Sequence, residues 1–250
     1  MKIEKDFYRK NAGLLRLTNL RKREIDNKVI QYTNGSDNLV YYHSSGGIVY
    51  DRQPSDKPMP LLTAKKVEKK ANELMKKFGI PLPDDAVLSE IQPVFLTNIK
   101  TGEKKVQSYL LYYTKYVNGT KISGPGADGI VIEIDAEGIS YYKRLWRNYN
   151  LGEGEKEEKI DSKGNRKKKH GNKISKEQLL DEEEALVRNA DKILSAFRLG
   201  KGSLTINNVS LVYKATPFDA DENIAVPAWE YSVDRSVKVY VNAITGELIY

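Results

Sequence analysis

Residues 227–250, PAWEYSVDRSVKVYVNAITGELIY, carry the clearest structural pattern in the chain. Its first half alternates large apolar residues with smaller or polar ones, which places Trp229 and Tyr231 on one side of a strand. A second apolar run begins at Val237, close enough in sequence to form an antiparallel partner. A polar turn opens at Asn242, and apolar residues resume after it. The stretch therefore predicts an antiparallel sheet at this end of the chain.

The same residues resemble the closing hairpin of PepSY-type domains. In those domains an aromatic-rich strand precedes a strand that ends in Asp or Asn-Ala-x-Thr-Gly-Glu, and here PAWEYSV (227–233) precedes VYVNAITGELI (239–249). Within that group the chain is most similar to the extracytoplasmic YycH and YycI type regulatory proteins of Gram-positive bacteria. The resemblance is carried by the C-terminal residues.

The resemblance implies a function in protein binding. YycH and YycI type proteins restrain a membrane sensor kinase, and PepSY-type domains of protease propeptides contact peptidases. We therefore expect a non-enzymatic module that regulates a sensor kinase or a similar partner in the cell envelope. A peptidase-inhibitory, propeptide-like domain is one alternative. A cell-envelope hydrolase that uses the strand carboxylates Glu133, Asp135 or Glu230 is another.

Composition limits the kinds of functional site that this chain can have. The 250 residues include 40% hydrophobic residues, carry a net charge of +7 and contain no cysteine, which excludes disulfides, zinc-thiolate sites and a cysteine nucleophile. No apolar run approaches the roughly twenty residues that cross a bilayer, and the start, Met1 to Asp6, is not a signal peptide. The resemblance implies an extracytoplasmic protein that is anchored in the membrane by a segment absent from this sequence.

The order of patterns along the chain predicts two tandem α+β units, each a helix packed on an antiparallel sheet. In the first unit, Thr63 can cap a helix that ends at Gly79, and strands follow. In the second, Ser175 and Gln178 form a capping box before a long helix that ends at Gly200. The expected segments are an N-terminal hairpin segment and linker (1–60), the first PepSY-like unit (61–150), a charged linker (151–173) and the second PepSY-like unit (174–250).

Tyrosines are the candidate partner-binding residues. The chain has sixteen tyrosines against five phenylalanines, and several follow one another directly. Because successive strand residues face opposite sides, we expect one member of each adjacent pair to face water or a partner. An equal alternative is that these aromatic residues cover a sheet edge or the other unit. The candidates are Tyr112, Tyr113, Tyr116, Tyr141, Tyr142 and Trp146.

The basic run is the strongest charge feature. It lies in the predicted linker and lacks the interleaved aromatic residues that nucleic-acid binding requires, so no nucleic-acid partner is expected. A solvated linker is the first interpretation, and contact with an anionic membrane surface is the second. The run comprises Arg166, Lys167, Lys168 and Lys169.

No catalytic, cofactor-binding or metal site is predicted. His43 and His170 lack a second histidine at ligand spacing, and no glycine-rich phosphate loop opens a helix. Asp219, Asp221, Asn223 and Glu230 match positions 1, 3, 5 and 12 of a calcium-loop template, but Ile224 stands where glycine is required and strands are expected on both sides. A polar loop between strands is the favoured interpretation.

Overall fold

The structure is a computed structural model that describes residues 21–25, 29–43, 45–124, 128–151, 179–196, 203–216, 224–234 and 237–249. Within these residues the chain forms fourteen strands and three helices in two compact units. The strands are β1 Arg21–Ile25, β2 Val29–Thr33, β3 Asp37–Tyr42, β4 Gly47–Arg52, β5 Ala86–Thr97, β6 Lys104–Val117, β7 Thr120–Ser123, β8 Gly129–Asp135, β9 Gly138–Leu145, β10 Asn150–Leu151, β11 Ile206–Ala215, β12 Ile224–Val233, β13 Val237–Asn242 and β14 Leu248–Ile249. The helices are α1 Ala64–Lys77, α2 Glu182–Val187 and α3 Ala190–Ala196.

The first unit, which takes in the described residues of 1–115 and 128–147, is built on an antiparallel sheet. Its strand order is β1-β2-β3-β4-β9-β8-β6-β5. Strand pairing places one row of large side chains side by side across six strands, and every member is buried. That row comprises Tyr32, Leu39, Tyr50, Tyr142, Ile132 and Leu111.

Helix α1 supplies the other half of this core. Val67, Ala71 and Met75 recur at helical spacing and are buried in the same cluster as the row of the sheet. Thr63 is the N-cap residue, but its side chain makes no capping hydrogen bond. The helix ends because Gly79, with φ of 70°, turns the chain and the N–H of Ile80 returns to the carbonyl of Met75 at 3.0 Å.

The second unit, which takes in the described residues of 116–127 and 148–250, contains a mixed sheet. Strands β11, β12, β13 and β14 are antiparallel neighbours, whereas β7 pairs with β11 and β10 pairs with β12 in parallel. Tyr231, Val233 and Val241 form a core with Ala185 of α2. The indole N–H of Trp229 donates to the carbonyl of Leu180 at 3.0 Å, which fixes the start of this helical segment.

The predicted fold class, two tandem helix-on-sheet α+β units, is wrong. Strands dominate the described residues, and the three helices are short. In the second unit, two short helices replace the predicted long one. Asp181 begins α2 by accepting the N–H groups of Glu183 and Glu184. Between α2 and α3, the side chain of Asn189 donates to the carbonyl of Ala185 and also to that of Gly246, so this residue joins the end of the helix to a turn of the sheet.

The predicted segments at 1–60, 61–150, 151–173 and 174–250 stay a prediction. The described residues before position 60 belong to the first unit, where β2, β3 and β4 are part of its sheet. Beyond Leu151, the charged linker lies outside the described residues, and so do Ser175 and Gln178.

Candidate partner-binding surface

One face of the first unit's sheet is turned away from α1, and we call it the open face. Side chains alternate along each strand, so the neighbours of the buried row lie on this opposite side. Several of them are apolar and partly exposed, in a region of the sheet that spans β3, β4, β9, β8 and β6. The apolar members of the open face are Val40, Val49, Leu110, Tyr112, Val131 and Tyr141.

Strand register places these residues in adjacent rows. Tyr112 lies opposite Val131, whereas Leu110 and Tyr141 both lie opposite Glu133. Partial burial raises the pKa of the Tyr141 hydroxyl, and the neighbouring groups Asp51, Tyr42 and Tyr112 raise it further. Tyr141 is therefore neutral at physiological pH and offers its ring and a hydroxyl donor to a partner.

A polar ladder borders the apolar part of the open face. The Gln31 side-chain amide donates to Asn38 at 2.8 Å, and the Asn38 amide donates to Asp51 at 3.0 Å, so three strands are joined by side chains. On the other side, the hydroxyl of buried Ser108 donates to the carboxylate of Glu133. The open face thus mixes partly exposed apolar side chains with polar and charged ones, because exposed Lys143 lies opposite both Val49 and Val131. Aromatic, apolar and polar groups are combined in the same way in protein interfaces.

Two of the six candidate residues are core residues. Tyr113 and Tyr142 are 4% and 1% exposed and pack in the core with α1. The prediction that these two side chains contact a partner directly is therefore wrong. Burial, together with the nearby Glu68, raises the pKa of Tyr113 to about 12. Among the described residues, its hydroxyl has no hydrogen-bond partner. The expectation that one member of each adjacent pair faces outward is confirmed, because Tyr112 and Tyr141 are partly exposed.

The other two candidates, Trp146 and Tyr116, have different surroundings. Trp146 packs against the core, and its indole N–H donates to Asp85 at 3.0 Å. The ammonium of buried Lys115 lies 5.2 Å from the centre of the Trp146 ring. Tyr116 is partly exposed and belongs to the second unit, where it pairs with Lys121 of β7. Partner binding by Trp146 and Tyr116 stays a prediction.

Lys115, which contacts the Trp146 ring, is part of a buried ionic network. The Arg147 guanidinium donates to Asp128 at 2.9 Å, and the Lys115 ammonium lies 3.9 Å from the same carboxylate. All three residues are buried. Sequence reasoning missed this network because its members are far apart in the chain and no local pattern joins them.

Asp135, one carboxylate of the hydrolase alternative, is part of the scaffold. It is fully buried and accepts from the Arg52 guanidinium at 2.7 Å and from the backbone N–H of Ser55 at 2.8 Å. Burial alone would raise the pKa of this carboxyl group, but these donors, together with the N–H of Glu137, hold it below its usual value. With these bonds Asp135 stabilises the β8–β9 turn, where it also accepts the N–H groups of Glu137 and Gly138.

Glu230 occupies a comparable position in the second unit. Its carboxylate accepts from the Lys238 ammonium at 2.8 Å and from the hydroxyl of Ser123, which is 3.2 Å from that of Tyr240. Burial would raise the pKa of Glu230, but the hydrogen bonds from Lys238 and Ser123 lower it overall. Nearby, burial lowers the pKa of Lys214, whose ammonium lies 5.2 Å from the centre of the Tyr240 ring.

Several remaining predictions concern residues outside the described part of the chain. The basic run 166–169, His170 and the calcium-template residues Asp219 and Asp221 all lie there. His43 is described, and its ring is exposed 5.1 Å from that of Tyr41. In the described ranges, no three metal-ligating side chains are grouped, and no helix is long and apolar enough to cross a membrane.

Sequence reasoning also missed a pair of matching turns. Asn98-Ile-Lys-Thr-Gly-Glu103 and Asn242-Ala-Ile-Thr-Gly-Glu247 share the pattern N-x-x-T-G-E, which is visible in the sequence. In both turns the asparagine side-chain oxygen accepts the N–H groups two and three residues further on, and its own N–H donates to the glutamate carbonyl at 2.8 Å. Asp135 holds a shorter turn, in which it accepts the N–H groups of Glu137 and Gly138.

Comparisons with known proteins establish no family for this chain. No protein-family model and no curated protein matches it. The fold is similar to the crystal structure of YycH from Bacillus subtilis, with a TM-score of 0.44 and 12% sequence identity. The likeness covers 92% of this chain and 47% of that one, so the chain spans about half the length of the solved structure. A likeness this weak identifies neither a family nor a partner, and the resemblance to YycH and YycI type proteins stays a prediction.

Proposed function

We propose that this chain is a non-enzymatic protein-binding module that acts outside the cytoplasm and regulates a partner in the cell envelope. The observation that supports the proposal best is the open face, where apolar side chains including Tyr112 and Tyr141 are partly exposed across five strands. Aromatic residues of this kind bury a large area on association at a small loss of side-chain entropy. The resemblance of the C-terminal hairpin makes a sensor kinase ectodomain the first candidate partner and a peptidase the second.

The geometry of the carboxylates favours binding over hydrolysis. Asp135 and Glu230 are buried and engaged by cationic partners, and Glu133 accepts from a serine hydroxyl. A hydrolytic pair would instead need two carboxylates that face one cleft, with pKa values pushed apart. We therefore propose no catalytic residue.

Capture from a solubilised Gram-positive envelope, with this chain as bait, tests the proposal. The wild-type chain should retain a sensor kinase or peptidase ectodomain, and the double variant Tyr112→Glu/Tyr141→Glu should lose it, because two charges cannot be desolvated in an apolar contact. Leu61→Glu is the matched control, since Leu61 is 80% exposed, lies in the same unit and is not one of the residues that define the open face. Equal capture by all three proteins would overturn the proposed surface.

A further inference from the structure

The hairpin of β5 and β6 ends in exposed apolar side chains. We call residues 95–105 the β5–β6 tip. Ile99, in the turn, is 99% exposed, and Phe95 and Leu96 are 46% and 37% exposed. Large apolar side chains that are this accessible contribute little to the fold, and grouped on one projection they indicate a binding surface.

Lysines surround these apolar groups. Lys100, Lys104 and Lys105 are exposed on the tip, and Glu103 is its single acidic residue, so three positive charges and one negative charge give the tip a net charge of +2. Glu103 pairs with Lys105 at 3.2 Å. Within the described ranges, Lys100 and Lys104 make no ion pair, so both are available to an anionic surface.

The dimensions of the tip match the interfacial layer of a bilayer. Thr97 and Lys104 are the last pair of the ladder, and Phe95 lies two residues behind Thr97. At about 3.4 Å per residue, Phe95 is within roughly 7 Å of the end of the ladder. Apolar groups of interfacial proteins enter the boundary between headgroups and acyl chains by about 5 to 10 Å. Ile99, in the turn beyond the ladder, therefore reaches that boundary first, and Leu96 and Phe95 follow behind it.

The second unit shows that this turn does not require an exposed isoleucine. There, the matching position holds Ala243, which is buried, and the turn is covered because Leu180 N–H donates to the Ala243 carbonyl at 2.8 Å. In the first unit, Ile99 replaces this alanine and is accessible. The same local structure thus has a covered form with a small residue and an uncovered form with a large apolar one.

We propose that the β5–β6 tip inserts into the surface of an anionic lipid bilayer. Ile99 enters first, Phe95 and Leu96 follow to the acyl boundary, and the lysines remain at the level of the lipid phosphates, where each is attracted by negative surface charge. This inference goes beyond the proposed function and is independent of it, because it concerns the hairpin tip and a lipid partner rather than the open face and a protein.

Co-sedimentation of the full chain with lipid vesicles tests the proposal. We expect binding to phosphatidylcholine vesicles that contain phosphatidylglycerol, and no binding to vesicles of phosphatidylcholine alone. Ile99→Asp should reduce the partition coefficient at least about tenfold. Lys100→Gln and Lys104→Gln should each reduce it about fivefold in low salt, with a smaller effect in high salt. Leu61→Asp is the matched control and should bind like the wild type.

A depth measurement complements the binding assay. In Ile99→Trp, fluorescence should shift to the blue and be quenched by brominated acyl chains, whereas Leu61→Trp should show neither change. The proposal is overturned if anionic vesicles do not bind, or if they bind equally well after Ile99→Asp. It is also overturned if binding disappears only when the four basic residues 166–169 are replaced by glutamine, because the basic run would then be the contact. Capture by the open face is measured separately, so each proposal can fail alone.

Discussion

At the scale of single residues, the buried carboxylate of Asp135 keeps its charge because donors surround it. Asp135 accepts from a guanidinium and from backbone N–H groups, which compensate for the water that it loses on folding. Removing one partner of such a pair leaves the other charge buried without compensation, which is more destabilising than the pair was stabilising. The Arg52–Asp135 pair is therefore expected to contribute to the stability of the first unit.

Asp135→Asn should lower the free energy of unfolding at pH 7 by about 3 kcal/mol, the low end for a broken buried pair, because the Arg52 guanidinium, whose side chain is 16% exposed, then loses its anion. The pKa of Asp135 is depressed in the folded state. Its contribution is therefore complete above the pKa of the unfolded chain, about 3.9, and is lost as the pH falls through the lower folded pKa.

Urea denaturation of the wild type and this variant from pH 7 to pH 2 measures the effect. The difference between the two proteins should shrink towards the acid end. Glu137→Gln, which removes an exposed pair with Lys57, is the control and should change the unfolding free energy little. A difference that stays constant with pH would show that Asp135 is not ionised in the folded protein.

Trp229 anchors the helical segment of the second unit to its sheet. Trp229→Ala removes its packing against the core around Tyr231 and its hydrogen bond to Leu180, and should lower the free energy of unfolding by about 3 to 5 kcal/mol. Trp229→Phe keeps most of the buried apolar area, so it should lower the free energy of unfolding less than Trp229→Ala does. An unchanged melting temperature in the alanine variant would rule out this anchoring role.

At the scale of elements, some of the strands and one of the helices were predictable, whereas β1, β2, β7 and β10 were not. The alternation of apolar and polar residues predicted β12 and β13, and apolar residues at helical spacing followed by a glycine predicted α1. The break between α2 and α3 was not predictable, because it depends on a bond from Asn189 to the distant carbonyl of Gly246. A contact of this kind across the fold overrides local helix propensity.

The matching turns allow an internal test of turn packing. Gly102 and Gly246 both have positive φ, 71° and 74°. A Cβ at Gly102 meets no atom within 4 Å, whereas one at Gly246 would lie 2.9 Å from the Leu180 side chain. Gly102→Ala should therefore lower the free energy of unfolding by about 1 to 2 kcal/mol through backbone strain alone. Gly246→Ala should lower it further, because the new methyl group also displaces the Leu180 side chain.

Thermal and urea unfolding of the two glycine variants gives the comparison directly. Gly246→Ala should be the less stable protein. Equal losses would mean that Leu180 moves aside freely and that the covered turn of the second unit contributes little to stability.

At the scale of the whole molecule, the sequence predicted two units but assigned them the wrong architecture. The helix signals around α1 and α2 suggested α+β units, whereas strand pairing across distant segments dominates both units. For the candidate site, alternation showed that one tyrosine of each pair points outward. It did not show which, because the face covered by α1 is set by tertiary packing.

The open face also sets an expectation for stability. Tyr112→Glu/Tyr141→Glu changes partly exposed side chains on a face opposite the core, so its melting temperature should stay within a few degrees of the wild type. Circular dichroism on heating measures this. A large decrease would mean that the open face is part of the folded core and that loss of capture by this variant is a folding defect.

Position-specific photocrosslinking tests the central claim most directly, namely that the open face contacts a protein partner. A photoreactive phenylalanine analogue is placed at Tyr112, at Tyr141 or at the control position Leu61, and each protein is irradiated with Gram-positive envelope extract. We predict a discrete adduct, with the same envelope ectodomain, from positions 112 and 141 and none from position 61. Adducts from position 61 alone, or none from either tyrosine position, would contradict the claim.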